Sequence, residues 1–509
     1  MRSSIFFCYM LFCTLNGTAV LAETRTSPEQ RANRYLETVR RNPPLLLAFL
    51  REMPKGGDLH IHLQGSIYAE DLIEYAVRDH LCLDHPSATL VAGPCEGCGP
   101  RVTKPAVECG YRDPQLYNTM IDAWSMRNWD LTHESGHDHF FASFAKFSLA
   151  IEKHAAEAIA ASIVRAAADH LEYLELMHTL GAGEAAQVSA RLQWSSDLAA
   201  MREQLLAGGI KGAVAAARQE LDKNDAIIQD QLACQTASRE PGCQVSVRYV
   251  YQVLRGLPPQ EVFAQILTGF ELASADPRVV GLNLVMPEDW YVPMRDFHLH
   301  MKMLDFLHSI YPKVHISLHA GELAMGLVPP EHLRFHIRES IALGHAERIG
   351  HGVDVMHEES PVELLKDMAR RKVLVEICLT SNEEILGVAG DDHPFPVYRQ
   401  YNVPVALATD DEGVSRSDMT HEYLRAAMTY RLSYLDLKGM ARESLEHSFL
   451  PGDSIWADVK TRQESAACRS DHLSDSTVSP GCRKFLDANE KARLQWKLEQ
   501  DFAAFEKRF

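Results

Sequence analysis

Eight short runs rich in apolar and β-branched residues, separated by helix-length stretches, most restrict the folds open to this chain. They are "DLHIHL" (58–63), "EYLELMH" (172–178), "VSVRYVYQV" (245–253), "VVGLNLVM" (279–286), "VHISLHA" (314–320), "RIGHGVDV" (348–355), "VLVEICLT" (373–380) and "VPVALATD" (403–410). Strands alternating with helices imply a parallel sheet. Eight such units fit a (β/α)8 barrel. A doubly wound open sheet is the rival, but no Gly-rich phosphate loop follows an early strand. The expected fold class is therefore α/β: a (β/α)8 TIM barrel with a helical N-terminal extension and a cysteine-bearing insertion after the first strand.

The rest of the chain is arranged around those runs. Residues 1–22 read as a signal peptide, with one Arg, an apolar stretch, and Val20-Leu21-Ala22 before Glu23, so cleavage is expected after Ala22. A retained N-terminal anchor is the alternative. Residues 23–55 form a helical extension interrupted at Pro43-Pro44, and 56–450 the barrel, with its helical insertion at about 67–168. A C-terminal helical extension, 451–509, carries the Cys468/Cys482 loop, the region from about 425 being read as helical. With a formal net charge of −18 the chain is a poor partner for nucleic acid or an anionic membrane. Of eleven cysteines, Cys8 and Cys13 leave with the signal. Eight of the remaining nine lie in polar, loop-like stretches, and Cys378 alone lies in an apolar strand pattern. That usage fits an oxidising compartment, so the protein is expected to be secreted or periplasmic. Cys234 with Cys243, and Cys468 with Cys482, are natural local pairs. Cys82, Cys95, Cys98 and Cys109 can pair in three ways, and a structural zinc site on those four is the rival.

A barrel demands that reactive groups stand at the C-terminal ends of its strands. His60 and His62 end the first run, His319 the fifth, His351 the sixth and Asp410 the eighth. The HxH pattern alone carries little weight, since 24 histidines make about one such pair expected by chance. The chain has two others, His137/His139 and His298/His300, both in helical patterns, where residues two apart face different ways. On a strand, period-two geometry instead turns His60 and His62 to one face.

Three imidazoles and a carboxylate, His60, His62, His319 and Asp410, suit Zn²⁺ and leave room for water. Glu322, three residues after His319 in "HAGE", can reach a substrate without being a ligand and move a proton. His351 can hydrogen-bond the attacking water. Asp411 follows Asp410 where the chain turns, so it too can face the pocket. Residue types alone thus reach zinc-assisted hydrolysis.

The segments "MPKGGDLHIHLQGS", "SLHAGE", "RIGHGVD", "CLTSN" and "LATDDEG" occur in the order seen in adenosine deaminases of the amidohydrolase superfamily, and "DMTHEYLRAA" and "ARESLEHSFL" extend the match. The resemblance covers about 53–75 and 170–450. The leader, N-terminal helices and cysteine-bearing insertion look most like the secreted adenosine deaminase-related growth factor branch. It implies one zinc ion per chain on His60, His62, His319 and Asp410. It further implies Glu322 as the acid that protonates purine N1, His351 as the histidine that orients and activates the water, and Asp411 as the partner of N7. The reaction implied is attack of zinc-bound hydroxide on C6 of adenosine, and of 2′-deoxyadenosine, with loss of ammonia to leave inosine. The partner is then a small purine nucleoside, with no membrane association after signal cleavage; a homodimer is compatible with the sequence but not specified by it.

Two positions depart from the family pattern. Gln64 stands where an Asp that contacts ribose is common. Met286, followed by Pro287, stands where the family commonly has a Gly whose backbone reaches purine N3. Both bear on substrate grip, so a modified aminopurine nucleoside is the alternative substrate. A non-catalytic nucleoside-binding or growth-factor role is the alternative from another class; it would tolerate loss of Glu322 or Asp410, and neither is missing. Two-metal relatives commonly carry a lysine at the end of the fourth strand, where this chain offers Asn283 and Met286. For the aromatics Phe140, Phe141, Phe144 and Phe147 of the insertion, a helical core stripe is preferred over a lining of the pocket entrance.

Overall fold

A computed structural model describes residues 26–99, 101–473 and 477–509. The leader and its expected cleavage after Ala22 lie outside the described residues. All eight predicted runs contain strands: Gly56–His62, Leu171–His178, Ser246–Leu254, Val279–Val285, His315–Ala320, Arg348–His351, Leu374–Ile377 and Val405–Leu407. Each pairs in parallel with the next. The first and last meet through one parallel bridge, Ile61 to Asp410. There the N–H of Asp410 donates to the His60 carbonyl at 2.8 Å and the N–H of His62 donates to the Asp410 carbonyl at 3.0 Å. The barrel is therefore closed by two hydrogen bonds between residues expected to do chemistry.

The last three strands are shorter than their apolar runs. The sixth stops at His351, where φ turns to 66°, and Gly352 continues the turn at 60°. The seventh gives way to a helix, Leu379–Leu386. The eighth ends at Leu407, three residues before Asp410, whose φ is 61°. Apolar periodicity marks burial on both faces of a parallel sheet. It does not mark where the backbone leaves extended geometry, and these residues stay buried while turning.

Inside the barrel a chain of charges replaces part of the usual apolar filling. Arg348 Nη2 meets Glu175 Oε2 at 2.6 Å and Arg348 Nε meets Glu376 Oε1 at 2.6 Å. Glu376 Oε2 lies 2.6 Å from His60 Nδ1, and Ser317 Oγ donates to Glu376 Oε1 at 2.9 Å. The Arg348 guanidinium covers the Phe449 ring, 3.8 Å from its centroid. Removing one partner of such a buried pair typically costs about 3–5 kcal/mol, because the other charge is left uncompensated.

The N-terminal extension consists of helices Pro28–Val39, started by a Ser27–Gln30 capping box, and Pro43–Arg51, capped by Asn42. Its aromatics pack on the C-terminal helix Glu490–Glu506 and the residues after it: Phe49 lies 5.0 Å from Phe505, and Tyr35 4.7 Å from Phe509, between ring centroids. The insertion carries helices Ala69–Arg78, Pro114–Trp124, Gly136–Ile151 and Ala155–Ala168, with a hairpin of Cys82–Asp84 and Thr89–Val91. Two disulfides staple it, Cys82–Cys95 and Cys98–Cys109. Those pairings consume the four sulfurs, which rules out the cysteine zinc site.

Cys234–Cys243 and Cys468–Cys482 form the two local pairs expected. The loop reading of all eight cysteines needs correction. Cys82 lies in a strand and Cys482 in the helix Pro480–Ala488, and Cys82, Cys468 and Cys482 are fully buried. Polar neighbours in sequence disguise sulfurs that pack inward. The C-terminal region also holds a small hairpin, Trp456–Asp458 with Gln463–Glu464, where an all-helical reading was expected. Its Trp456 joins Ile455, Cys468, Cys482, Leu486 and Trp496 in a satellite core. Among the described residues no helix is long and apolar enough to cross a membrane. Cys378 is the free cysteine among the described residues. A chain beginning at Glu23, unfolded without reductant, should therefore titrate one thiol; a higher count would contradict the pairing.

Candidate active site

The strand ends bring five of the expected side chains into contact. The ring centroid of His60 lies 5.4 Å from that of His62, 4.4 Å from His319 and 4.9 Å from His351. Asp410 Oδ1 is 3.5 Å from His60 Nε2 and 3.3 Å from His62 Nε2, and its Oδ2 is 3.9 Å from His351 Nε2. His62 Nε2 and His319 Nε2 are 3.2 Å apart. Glu322 Oε1 lies 3.7 Å from His351 Nε2. His60, His319, His351, Asp410, Asp411 and Glu322 are all buried, and His62 is nearly so.

Each imidazole is aimed through its other nitrogen. His60 Nδ1 bonds Glu376, and His62 Nδ1 meets Gln252 Oε1 at 2.9 Å. His319 Nδ1 donates to Asn283 Oδ1 at 2.8 Å; that oxygen also accepts the His319 backbone N–H, which fixes its identity as oxygen. His351 Nδ1 contacts Asn382 Nδ2 at 3.0 Å. All four partners set ring orientation, and the acceptor oxygens behind His60, His62 and His319 also raise basicity at Nε2, as carboxylates and amides do behind metal-ligating histidines.

A divalent cation fits the centre. His60 Nε2 is buried and has no hydrogen-bond partner. Burial works against charge on His60, yet Asp410 and Glu376 outweigh it and lift its pKa to about 10. The position thus demands a positive charge. Asp410 is held well below the usual carboxylate range despite its burial, by the imidazoles of His60 and His62 that face it. His319 is pushed well down by burial and by the neighbouring imidazoles, so it offers a lone pair. Ligating atoms of His60, His319, His351 and Asp410 form one group close enough to share an ion, and those of His62, Asp410 and Asp411 a second. Glu322 behaves oppositely to Asp410. Burial, then the charges of Asp410 and Glu288, raise its pKa well above the ordinary value, which favours the protonated form. Asp411 is raised likewise by burial and Asp410.

A cavity of about 290 Å³ opens onto this cluster. His62, Gln64, Gln252, His319, Glu322, Asp410 and Asp411 supply its polar side. Phe140, Phe141, Phe144, Leu254, Val285, Met286, Trp290 and Ile385 line the rest, with no Lys or Arg. The core-stripe expectation is therefore overturned for Phe140, Phe141 and Phe144, which line the cavity from the helix Gly136–Ile151, and is met by Phe147, which lies wholly in the core. Gln64 reaches the cavity, and its amide donates to Ser148 Oγ at 3.0 Å. Asp411 packs so closely on Gly65 that a Cβ there would lie 1.5 Å from its Oδ1, so only glycine fits. Met286 holds φ at 82°, the largest positive value of any non-glycine among the described residues, at a typical cost of about 1–2 kcal/mol. Arg255 Nε steadies it by donating to the Met286 carbonyl at 3.0 Å. Strain at Met286, His351 and Asp410 thus clusters at one site, as backbone strain tends to do where function requires it.

Sequence reasoning missed several supports. Glu376 had a signal, as the one acid in "VLVEICLT". Gln252 and Asn382 had none, and Asn283 was noted only as standing in place of a lysine. Glu288 is buried and accepts the N–H of Glu322 at 2.9 Å and of Gly321 at 3.3 Å, fixing the turn that carries Glu322. The other two HxH pairs play no part in the cluster: His139 bonds Glu134 and main-chain carbonyls, and His298 pairs with Glu339 on the surface.

The fold is thus a (β/α)8 barrel with imidazoles and a carboxylate gathered at its strand ends in a cluster that could hold a metal ion. The family model described as adenosine deaminase matches residues 212–457. Adenosine deaminase of Clostridium perfringens (strain 13 / Type A) is 33% identical over 135 residues, 26% of this chain and 37% of that protein. Adenosine deaminase of Salmonella schwarzengrund (strain CVM19633) is 39% identical over 140 residues, 27% of this chain and 39% of that protein. The matched stretch thus spans well under half of those relatives' length. Among solved structures, an adenine deaminase from Arthrobacter aurescens has a TM-score of 0.45 at 17% identity, over 78% of this chain and 94% of that one. The N6-methyl-AMP deaminase from Arabidopsis thaliana has a TM-score of 0.47 at 18% identity, over 80% and 94%. The matched residues, just under half of the chain, thus resemble the adenosine deaminase family.

The insertion helix is latched over the cavity. His137 Nε2 meets Asp289 Oδ1 at 3.0 Å, and Gly136 lies so near the Glu384 carbonyl that a Cβ would sit 1.9 Å from it. Burial would lower the His137 pKa, but Asp289 and Asp138 lift it to about 9. The folded value exceeds the unfolded one of about 6.5, so the latch contributes fully below pH ~6.5 and is lost as pH rises through about 9. The melting-temperature gap between the parent protein and His137→Gln should be widest at pH 6 and close by pH 10; a gap constant with pH would contradict the latch.

Proposed function

We propose that the protein is an exported, zinc-dependent deaminase that converts adenosine, and 2′-deoxyadenosine, to the inosine product and ammonia. The observation that carries this reading is a buried Glu322, 3.7 Å from His351, lining one cavity of about 290 Å³ with the His/Asp cluster. Zinc would be held by His60, His62, His319 and Asp410. When bound, it would supply Lewis acidity, lowering the pKa of water from 15.7 toward about 7.

The chain's own residues do the rest. Glu322 donates its proton to purine N1, which draws electrons from C6 and readies it for attack by water oxygen. His351 orients that water from the side of Asp410. Asp411, whose protonated form burial and Asp410 favour, donates to N7. One proton of the water passes to the amino nitrogen and the other returns to the Glu322 carboxylate; the C6–N6 bond breaks, ammonia leaves, the water oxygen stays on C6 and the proton given by Glu322 stays on N1. The aromatic wall from the insertion excludes bulk water and stacks on the base. The absence of Lys and Arg from the cavity lining favours a nucleoside over a nucleotide.

Met286 and Pro287 at the cavity wall, with Gln64 turned toward Ser148, favour a second substrate reading: an aminopurine nucleoside other than adenosine. Four disulfides support export, and with the insertion they favour the secreted growth-factor-related branch. Glu322→Gln should retain stoichiometric zinc and lose on the order of 10²–10⁴-fold in kcat, followed by ultraviolet absorbance and ammonia release across a panel of aminopurine nucleosides. Normal turnover by that variant, or full activity in zinc-free protein, would refute the mechanism; turnover of another nucleoside with none of adenosine would refute the substrate.

A further inference from the structure

His351 is held by a hydrogen-bond chain whose far end is a backbone amide, and that end determines where every proton in the chain lies. The N–H of Phe395 donates to His393 Nδ1 at 3.0 Å. Phe395 opens the helix Phe395–Gln400, so its N–H has no carbonyl of that helix to bond. A backbone amide can only donate, so His393 Nδ1 carries no proton and the His393 proton sits on Nε2. Nε2 lies 3.0 Å from Asn382 Oδ1, and a donor there requires that the facing atom be the amide oxygen. The Asn382 NH₂ then faces His351 Nδ1 at 3.0 Å and must donate to it. His351 Nδ1 is therefore bare, and its one proton is on Nε2, pointing at Asp410 Oδ2 and Glu322 Oε1. All three side chains are buried, at 0% exposure for His351 and Asn382 and 2% for His393, so water does not compete for these bonds.

The other imidazoles of the cluster differ. His60 and His319 each give their Nδ1 proton to an oxygen, which leaves Nε2 as a lone pair for an ion. The same arithmetic makes His351 a donor at the one nitrogen that faces the centre, and so separates it from the ligands although its atoms lie as near. It can hold an oxygen that gains negative charge, but it cannot take a proton at Nε2, nor become an imidazolium while the chain is intact.

We propose that His393, acting through Asn382, is a positioning residue that fixes the tautomer of His351 and thereby makes it an obligate hydrogen-bond donor in the reaction. This rests on the deaminase reading for the meaning of a rate, but not for the tautomer itself. Nothing in the order of the sequence points to it: "CLTSN" and "DDHPFP" are separate stretches, and His393 is far from the reacting atoms.

The test has two arms. In zinc-loaded protein carrying ¹⁵N-labelled histidine, with the His351 signals assigned by loss in His351→Gln, Nε2 should appear protonated and Nδ1 unprotonated. A protonated Nδ1 would overturn the proposal whatever the substrate proves to be. Asn382→Asp presents oxygens to both histidines, so it should move the His351 proton to Nδ1 with almost no change in shape. It should lower kcat on the order of 10²–10⁴-fold, the scale of a wrong-tautomer histidine, with zinc content and KM little changed. His393→Leu should lower kcat in the same way, and His393→Gln, which keeps a donor toward Asn382, should recover most of it. Parent-like kcat in Asn382→Asp or His393→Leu, or a fall in kcat matched by loss of zinc, would overturn the proposal. Absence of adenosine turnover by the parent protein would instead refute the substrate reading and leave the tautomer result standing.

Discussion

The two hydrogen bonds that join Asp410 to the backbone of His60 and His62 are the interaction on which the rest depends. Seven strand contacts build a curved parallel sheet, but only this seam closes it. The residues at the seam are the same ones whose side chains form the proposed metal centre. Closing the barrel and assembling the centre are thus one event. Local opening of the last strand would remove a carboxylate from the cluster at the same moment, because the eighth strand is only three residues long and ends just before Asp410.

Beneath the seam, the ion chain from Glu175 through Arg348 and Glu376 to His60 runs along the barrel interior. Apolar filling would be at least as stable, since buried ion pairs often only break even with hydrophobic replacements. What the charges add is direction. Ser317 and Arg348 occupy one oxygen of Glu376 and the other meets His60 Nδ1, so the His60 ring has one orientation rather than several. The chain through Asn382 and His393 does the same for His351 by neutral hydrogen bonds. The site is therefore held by two kinds of support, one ionic and one set by a backbone amide.

Much of this was legible in the sequence. The strands carried continuous apolar runs because both faces are buried, and the ligating residues stood at the ends where a barrel exposes them. What was not legible has physical reasons. The last three strands end at His351, Ile377 and Leu407 within segments that stay buried, which hydropathy does not mark. Asn283, Gln252 and Asn382 act through single atoms aimed at ring nitrogens, and amide residues are common enough that none stands out. Glu288 does its work by accepting two backbone N–H groups from a turn 33 and 34 residues away in sequence. The cysteines of the C-terminal region looked loop-like because their sequence neighbours are polar, while the sulfurs form the middle of a small core. Phe140, Phe141 and Phe144 share a helical face with core residues, and only the cavity beside that helix separates lining from filling.

The division of labour around the cavity has its own consequence. The reacting groups stand on barrel strands, whereas one wall is a helix from an insertion that carries its own disulfides and meets the barrel through the His137–Asp289 contact and the close approach at Gly136. Chemistry and shape are therefore inherited on separate pieces of chain. Substitutions on the cavity face of that helix can redraw what the pocket admits while leaving the strand-end cluster untouched.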